Sequence, residues 1–146
     1  TGSPVILPWL SRVQSVLNLY LGGEDVGDAA VSLLYGEANP SGKLSESWPL
    51  RMEDTSAYLN FPGAKCRTEY REGIFVGYRY YDKKHMDVQF PFGFGLSYTD
   101  YDYSCLEIES VENKAISDRS EERLRVRCRI KNTGSRTGKE AVQLYL

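Results

Sequence analysis

The chain has 146 residues, 41% of them hydrophobic and 26% charged, with a formal net charge of −2. That length and balance suit one ordinary domain or two small ones, and they exclude a mainly disordered chain. The low net charge argues against nucleic acid or an anionic membrane as partner, and no apolar run approaches the roughly 18 residues of a membrane span.

The opening TGSPVILPWL lacks the basic segment of a signal peptide. A Gly-Ser-Pro followed at once by Val5-Ile6-Leu7 reads as the end of a strand whose beginning is missing. Val16, Leu17, Leu19, Tyr20 and Leu21 then form a nearly continuous apolar run closed by Gly22-Gly23. This pattern predicts a strand buried on both faces of a parallel sheet. Asp25 or Asp28 caps a predicted helix with apolar positions at Ala29, Ala30, Leu33 and Leu34, and Gly36 falls where a left-handed C-terminal cap belongs. Strand, glycine-rich loop and helix make half of a βαβ unit, so the first part reads as an α/β layer.

Asn39-Pro40-Ser41-Gly42 predicts a turn, and Lys43–Trp48 alternates as a short strand ended by Pro49. Arg51–Arg67 reads as an irregular surface loop. From Glu69 to Thr99 the chain is dense in tyrosine, phenylalanine and glycine. Such a stretch packs by burying rings without needing regular structure, so it reads as a packed connector between unlike halves.

Beyond Thr99 the period becomes two. Tyr101, Tyr103 and Cys105 share a parity, Leu106 and Ile108 take the other, and the switch predicts a bulge near Cys105. Leu124, Val126, Cys128 and Ile130 alternate strictly with Arg123, Arg125, Arg127, Arg129 and Lys131. That is a half-buried antiparallel strand with a basic outer face. Val142, Leu144 and Leu146 begin a further strand, and three strands cannot close a β-sandwich of about seven.

Several groups are candidates for chemistry. Glu24, in the loop between the predicted parallel strand and the helix, is placed to act as acid, base or sugar-hydroxyl ligand. Alternatively Glu24 and Asp25 only favour the positive helix N-terminus. Glu69, Arg71, Glu72, Arg79, Asp82 and the nearby tyrosines form either a carbohydrate platform or interdomain glue with buried Arg–carboxylate pairs. The arginine row is an anion-binding face, or a solvated face paired with acids such as Glu121 and Glu122. Cys66, Cys105 and Cys128 have no C-x-x-C spacing, which argues against zinc and against a disulfide framework. Cys105 and Cys128 read as small buried hydrophobes, with a bridge between facing strands as the alternative. His85 reads as solvated.

The stretches GSPVILPW, GGEDVGDAAVSLLYGEANPSGKLSESWP, YREGIFVGYRYYD, FPFGFGLSYT and KNTGSRTGKEAVQLYL resemble, in order, motifs of glycoside hydrolase family 3, the β-glucosidase family. They span nearly the whole chain. The resemblance implies that residues 1–68 are the C-terminal part of an α/β sandwich domain, 69–97 the connector, and 98–146 the first part of a fibronectin type III-like β-sandwich. It implies a retaining β-glycosidase acting on β-linked oligosaccharides or aryl glucosides, without a cofactor. The family's nucleophilic aspartate lies in a separate barrel domain, and its acid/base glutamate lies upstream of the GSPV motif. No catalytic residue therefore falls in this chain. Glu24 matches the glutamate of the family's G-Q-E-x-G motif and is carried over as substrate-binding. The segment's expected work is scaffolding against the remaining domains of the same enzyme. Alone it should expose apolar surface and self-associate, forming homo-oligomers or aggregates. A non-catalytic carbohydrate-binding or interaction module is the alternative.

Overall fold

The computed structural model describes residues 1–64, 66–112 and 122–145. They form few helices and two separate two-stranded antiparallel sheets. After a start without regular structure and a single 3-10 turn at Leu10–Arg12, the apolar run Val16–Leu21 joins no ladder. The expected parallel strand is thus corrected. No strand among the described residues lies beside it, and Leu17 and Leu21 stay exposed. The run is anchored through Tyr20, whose backbone is left-handed (φ 51°) and whose N–H donates to Asn18 Oδ1 at 3.2 Å. The Tyr20 hydroxyl accepts from the Ser45 N–H at 3.1 Å.

Helix α1 (Val26–Leu34) forms where its spacing predicts, with Asp25 at the N-cap position but without a side-chain capping bond. At its C-terminus Gly36 takes φ +74°, and its N–H donates to the Leu33 carbonyl at 3.1 Å. A side chain there would be strained, which is why the sequence has glycine. The apolar face is not buried, since Leu34 is exposed.

The strand expected over Lys43–Trp48 is regular only at its end, β1 (Trp48–Pro49), which pairs with β2 (Val88–Phe90). Its earlier part is held instead by a turn: the Leu44 N–H donates to the Phe94 carbonyl at 2.8 Å, and the Gly93 N–H donates to Leu44 at 2.7 Å. Trp48, only 3% exposed, packs edge-on against Phe90, and Phe90 stacks on Phe94 with centroids 5.0 Å apart. The described residues of 51–67 are irregular as expected, apart from a 3-10 turn at Met52–Asp54.

The connector is more regular than its composition suggests. It contains both α2 (Tyr78–Lys84) and β2. Gly77 (φ 57°) turns the chain into α2, and exposed His85, itself left-handed at φ 53°, ends it after Lys83 and Lys84. Tyr78 and Tyr81, three apart, share one face of α2, and Tyr81 is buried. Before Gly77 the packing lapses, with Tyr70 and Ile74 exposed.

Strands β3 (Tyr101–Glu112) and β4 (Glu122–Asn132) form the second sheet. Pairing steps from Ser104 opposite Arg129 to Glu107 opposite Arg127, so Cys105 and Leu106 bulge opposite Cys128, and Cys105 has φ 53°. The bulge expected from the parity switch is therefore present. The expected burial is not: Leu106, Ile108, Leu124, Cys105 and Cys128 are exposed, because no second layer covers this ribbon among the described residues. Arg125 and Arg127 face Glu109, at 3.7 and 3.0 Å. Glu121 and the side chain of Glu122 lie outside the described residues. So does Leu146, and 133–145 forms no strand. That tail runs back along the first half, and its polar side chains, not a ladder, hold it there.

Candidate functional site

The elements converge on a cleft of about 430 Å³ whose lining includes Ser45, Glu46, Ser47, Tyr78, Tyr81 and Phe92. The segment leading into β1 supplies the polar wall and the connector supplies the rings. Phe92 is fixed by its N–H donating to Ser47 Oγ at 3.2 Å, and its ring lies 5.1 Å from that of Tyr78. Tyr145 from the tail closes an edge of this cluster, 5.5 Å from Tyr78. Burial first, then the neighbouring Asp54 and Tyr80, pushes the Tyr81 hydroxyl above its ordinary range. Asp54 is itself held below its ordinary value by the hydrogen bond from Arg51 Nη2 at 2.7 Å, against the opposing effect of burial.

Outside the cleft lining, one asparagine fastens three segments. Asn39 Oδ1 accepts from Ser97 Oγ at 2.9 Å and from the Tyr98 N–H at 2.8 Å, while Nδ2 donates to the Thr137 carbonyl at 3.1 Å. Carbonyls at and just past the end of α1 also accept from later segments: the Tyr98 hydroxyl donates to Leu33 at 2.8 Å, and Arg136 Nη1 donates to Gly36 at 3.2 Å. Lys43 bridges the Gly95 carbonyl at 2.7 Å and Glu140 at 3.3 Å, and Glu140 accepts from the Tyr103 hydroxyl at 3.0 Å.

The candidates named from sequence are not brought together. Glu24 is exposed on the loop before α1. Glu69 pairs with Arg67 and Arg71 within its own loop, at 3.5 Å and, to Arg71 Nε, 2.7 Å. These pairs are not the buried glue expected, because both arginines are exposed. Arg79 lies over the Tyr78 ring at 5.9 Å, and exposed Asp82 borders a smaller hollow beside Ser47 and Tyr145. Among the described residues no group of three His, Cys, Asp or Glu is placed to hold a metal ion. The cleft's Ser45, Glu46 and Ser47 were not singled out from the sequence. Glu46 shares the parity of Leu44 and Trp48 while Ser45 and Ser47 take the other, so alternation gave no common signal for the three.

A family model for the glycosyl hydrolase family 3 C-terminal domain matches residues 1–98, more than half of the chain. The chain belongs to glycosyl hydrolase family 3. It is 52% identical over 145 residues to thermostable beta-glucosidase B of Acetivibrio thermocellus, covering 99% of this chain and 18% of that protein. To the beta-glucosidase of Kluyveromyces marxianus it is 40% identical over 146 residues, covering 99% of this chain and 16% of that protein. The solved beta-glucosidase 3B of Thermotoga neapolitana in complex with glucose superposes with a TM-score of 0.80 at 36% identity. That match covers 94% of this chain and 18% of the solved one. The family 3 chain thus spans less than a fifth of the length of these relatives.

Proposed function

We propose that this family 3 chain is a scaffolding segment of a retaining β-glucosidase that removes terminal β-linked glucosyl units from oligosaccharides and aryl glucosides. The observation that carries this reading is the 52% identity over 99% of the chain to a thermostable beta-glucosidase of which it covers 18%. That extent of likeness also disfavours a free-standing binding module. Retaining hydrolysis needs two carboxylates about 5–5.5 Å apart, one as nucleophile and one as acid/base. In our reading neither belongs to this chain, and the segment shapes and supports the wall that the substrate meets.

The same reading divides the chain into an α/β sandwich part (1–68), the connector (69–97) and the first part of a fibronectin type III-like sandwich (98–146). The end of the family match at residue 98 supports the second boundary, and the change from turns and short helices to the long β3–β4 ribbon supports it independently. Glu24 is proposed to accept hydrogen bonds from substrate hydroxyls, which its exposure ahead of α1 leaves it free to do.

The test is hydrolysis of a chromogenic aryl β-glucoside by this chain alone and by its full reading frame. Activity is expected only from the full frame, with Glu24→Gln raising KM and leaving kcat largely unchanged. Absence of activity from both would overturn the reading, and activity from the short chain would place a catalytic pair within it.

A further inference from the structure

We infer that Cys105 and Cys128 are a thiol–disulfide pair, a site of reversible covalent modification that can join β3 to β4 at the bulge. All three cysteines are free, and both members of this pair are exposed. Pairing brings Cys105 and Leu106 together opposite the single residue Cys128. Neighbouring strands of a sheet lie about 4.7–4.9 Å apart, so the two facing backbones run within the Cα reach of about 4.4–6.8 Å that a disulfide spans.

By the alternation of the two strands up to the bulge, the two positions also fall on one side of the ribbon. Tyr103 lies opposite Ile130, and Cys105 and Cys128 each follow that pair by two residues along their own strands, in opposite chain directions. Cys128 sits within β4 between the paired Arg127 and Arg129, while Cys105 is at the bulge. The bulge leaves an extra residue outside the ladder, and Cys105 already occupies the left-handed region at φ 53°. A residue not fixed by ladder bonds has latitude to adjust its Cβ direction toward its partner. Cys66 lies in the separate loop before the connector, with its own left-handed backbone, and serves as an internal control.

The chemistry needs only a low-molecular-weight disulfide as oxidant. One cysteine thiolate attacks a sulfur of glutathione disulfide, forming a protein–glutathione S–S bond and releasing one glutathione thiolate. The second cysteine thiolate attacks the protein sulfur of that mixed disulfide, forming the Cys105–Cys128 bond and releasing the second glutathione. The protein is oxidised by two electrons, the glutathione disulfide is reduced by two, and the two thiol protons pass to the released glutathiones.

The experiment equilibrates the full-length folded protein with glutathione disulfide, blocks remaining thiols by alkylation and maps the peptides by mass. We expect Cys105 and Cys128 to lose alkylation together and to appear as one cross-linked peptide without glutathione, reversed by dithiothreitol, while Cys66 forms only a glutathione adduct. In Cys105→Ser, Cys128 should stop at the mixed disulfide. Independent glutathione adducts at Cys105 and Cys128 in the unaltered protein, or full alkylation of both, would overturn the pair. The readout does not depend on glucosidase activity.

Discussion

Single residues here do work that their sequence neighbourhood hides. Asn39 sits in an ordinary turn sequence, yet its amide fastens the connector and the tail to the first part of the chain. Gly93 (φ +80°) gives the backbone a left-handed turn against the tail, where a Cβ would lie 2.2 Å from Gln143 Oε1. Asp54, buried in a loop that reads as polar surface, titrates below its ordinary value because Arg51 donates to it. A carboxyl lowered on folding adds stability above its unfolded-state pKa, and that contribution disappears as pH falls through the lowered folded-state value. Asp54→Asn should therefore reduce the melting temperature of the protein at pH 7 and make progressively less difference as the pH drops below about 4. Equal losses at neutral and acid pH would show that the Arg51 pairing is not the cause.

At the scale of elements, local signals succeeded where the chain's neighbours settle the outcome. Helix α1 and its Gly36 terminus follow from spacing and from the φ that only glycine takes freely. The bulge follows from a parity switch at Cys105–Leu106. The β1–β2 pair was half legible: Pro49 marked its end, but its partner, β2, lay in a stretch that composition alone read as irregular. Its strength rests on one indole. Trp48→Ala should cost about 3–5 kcal/mol in denaturant unfolding of the region that carries it, through lost burial and the cavity left against Phe90. A cost below about 1 kcal/mol, the range of ordinary surface changes, would show that the pair does not depend on this packing.

For the whole molecule the described core is small: Leu7, Trp48 and Tyr81 are its buried apolar side chains. Leu59 (91%), Tyr70 (88%) and Leu21 (83%) are almost fully exposed, along with one face of the β3–β4 ribbon. Apolar surface of this extent drives association when nothing covers it. In sedimentation the isolated chain should show a mass that rises with concentration, and a single monomeric species at every concentration would contradict that expectation.

The sequence by itself determined the family, through motifs in order along the chain, and it determined α1, the bulge and the alternation of β4. Each of these depends on residues close together in the chain. Only the tertiary structure decided that Val16–Leu21 has no ladder partner among the described residues, and that the connector folds into α2 and β2. It alone decided that Cys105 and Cys128 face solvent, and that the tail docks through Arg136, Glu140 and Tyr145. Burial and strand pairing require a second surface contributed from far along the chain. An apolar or alternating pattern records a capacity for such a partner, while the partner itself is decided in three dimensions.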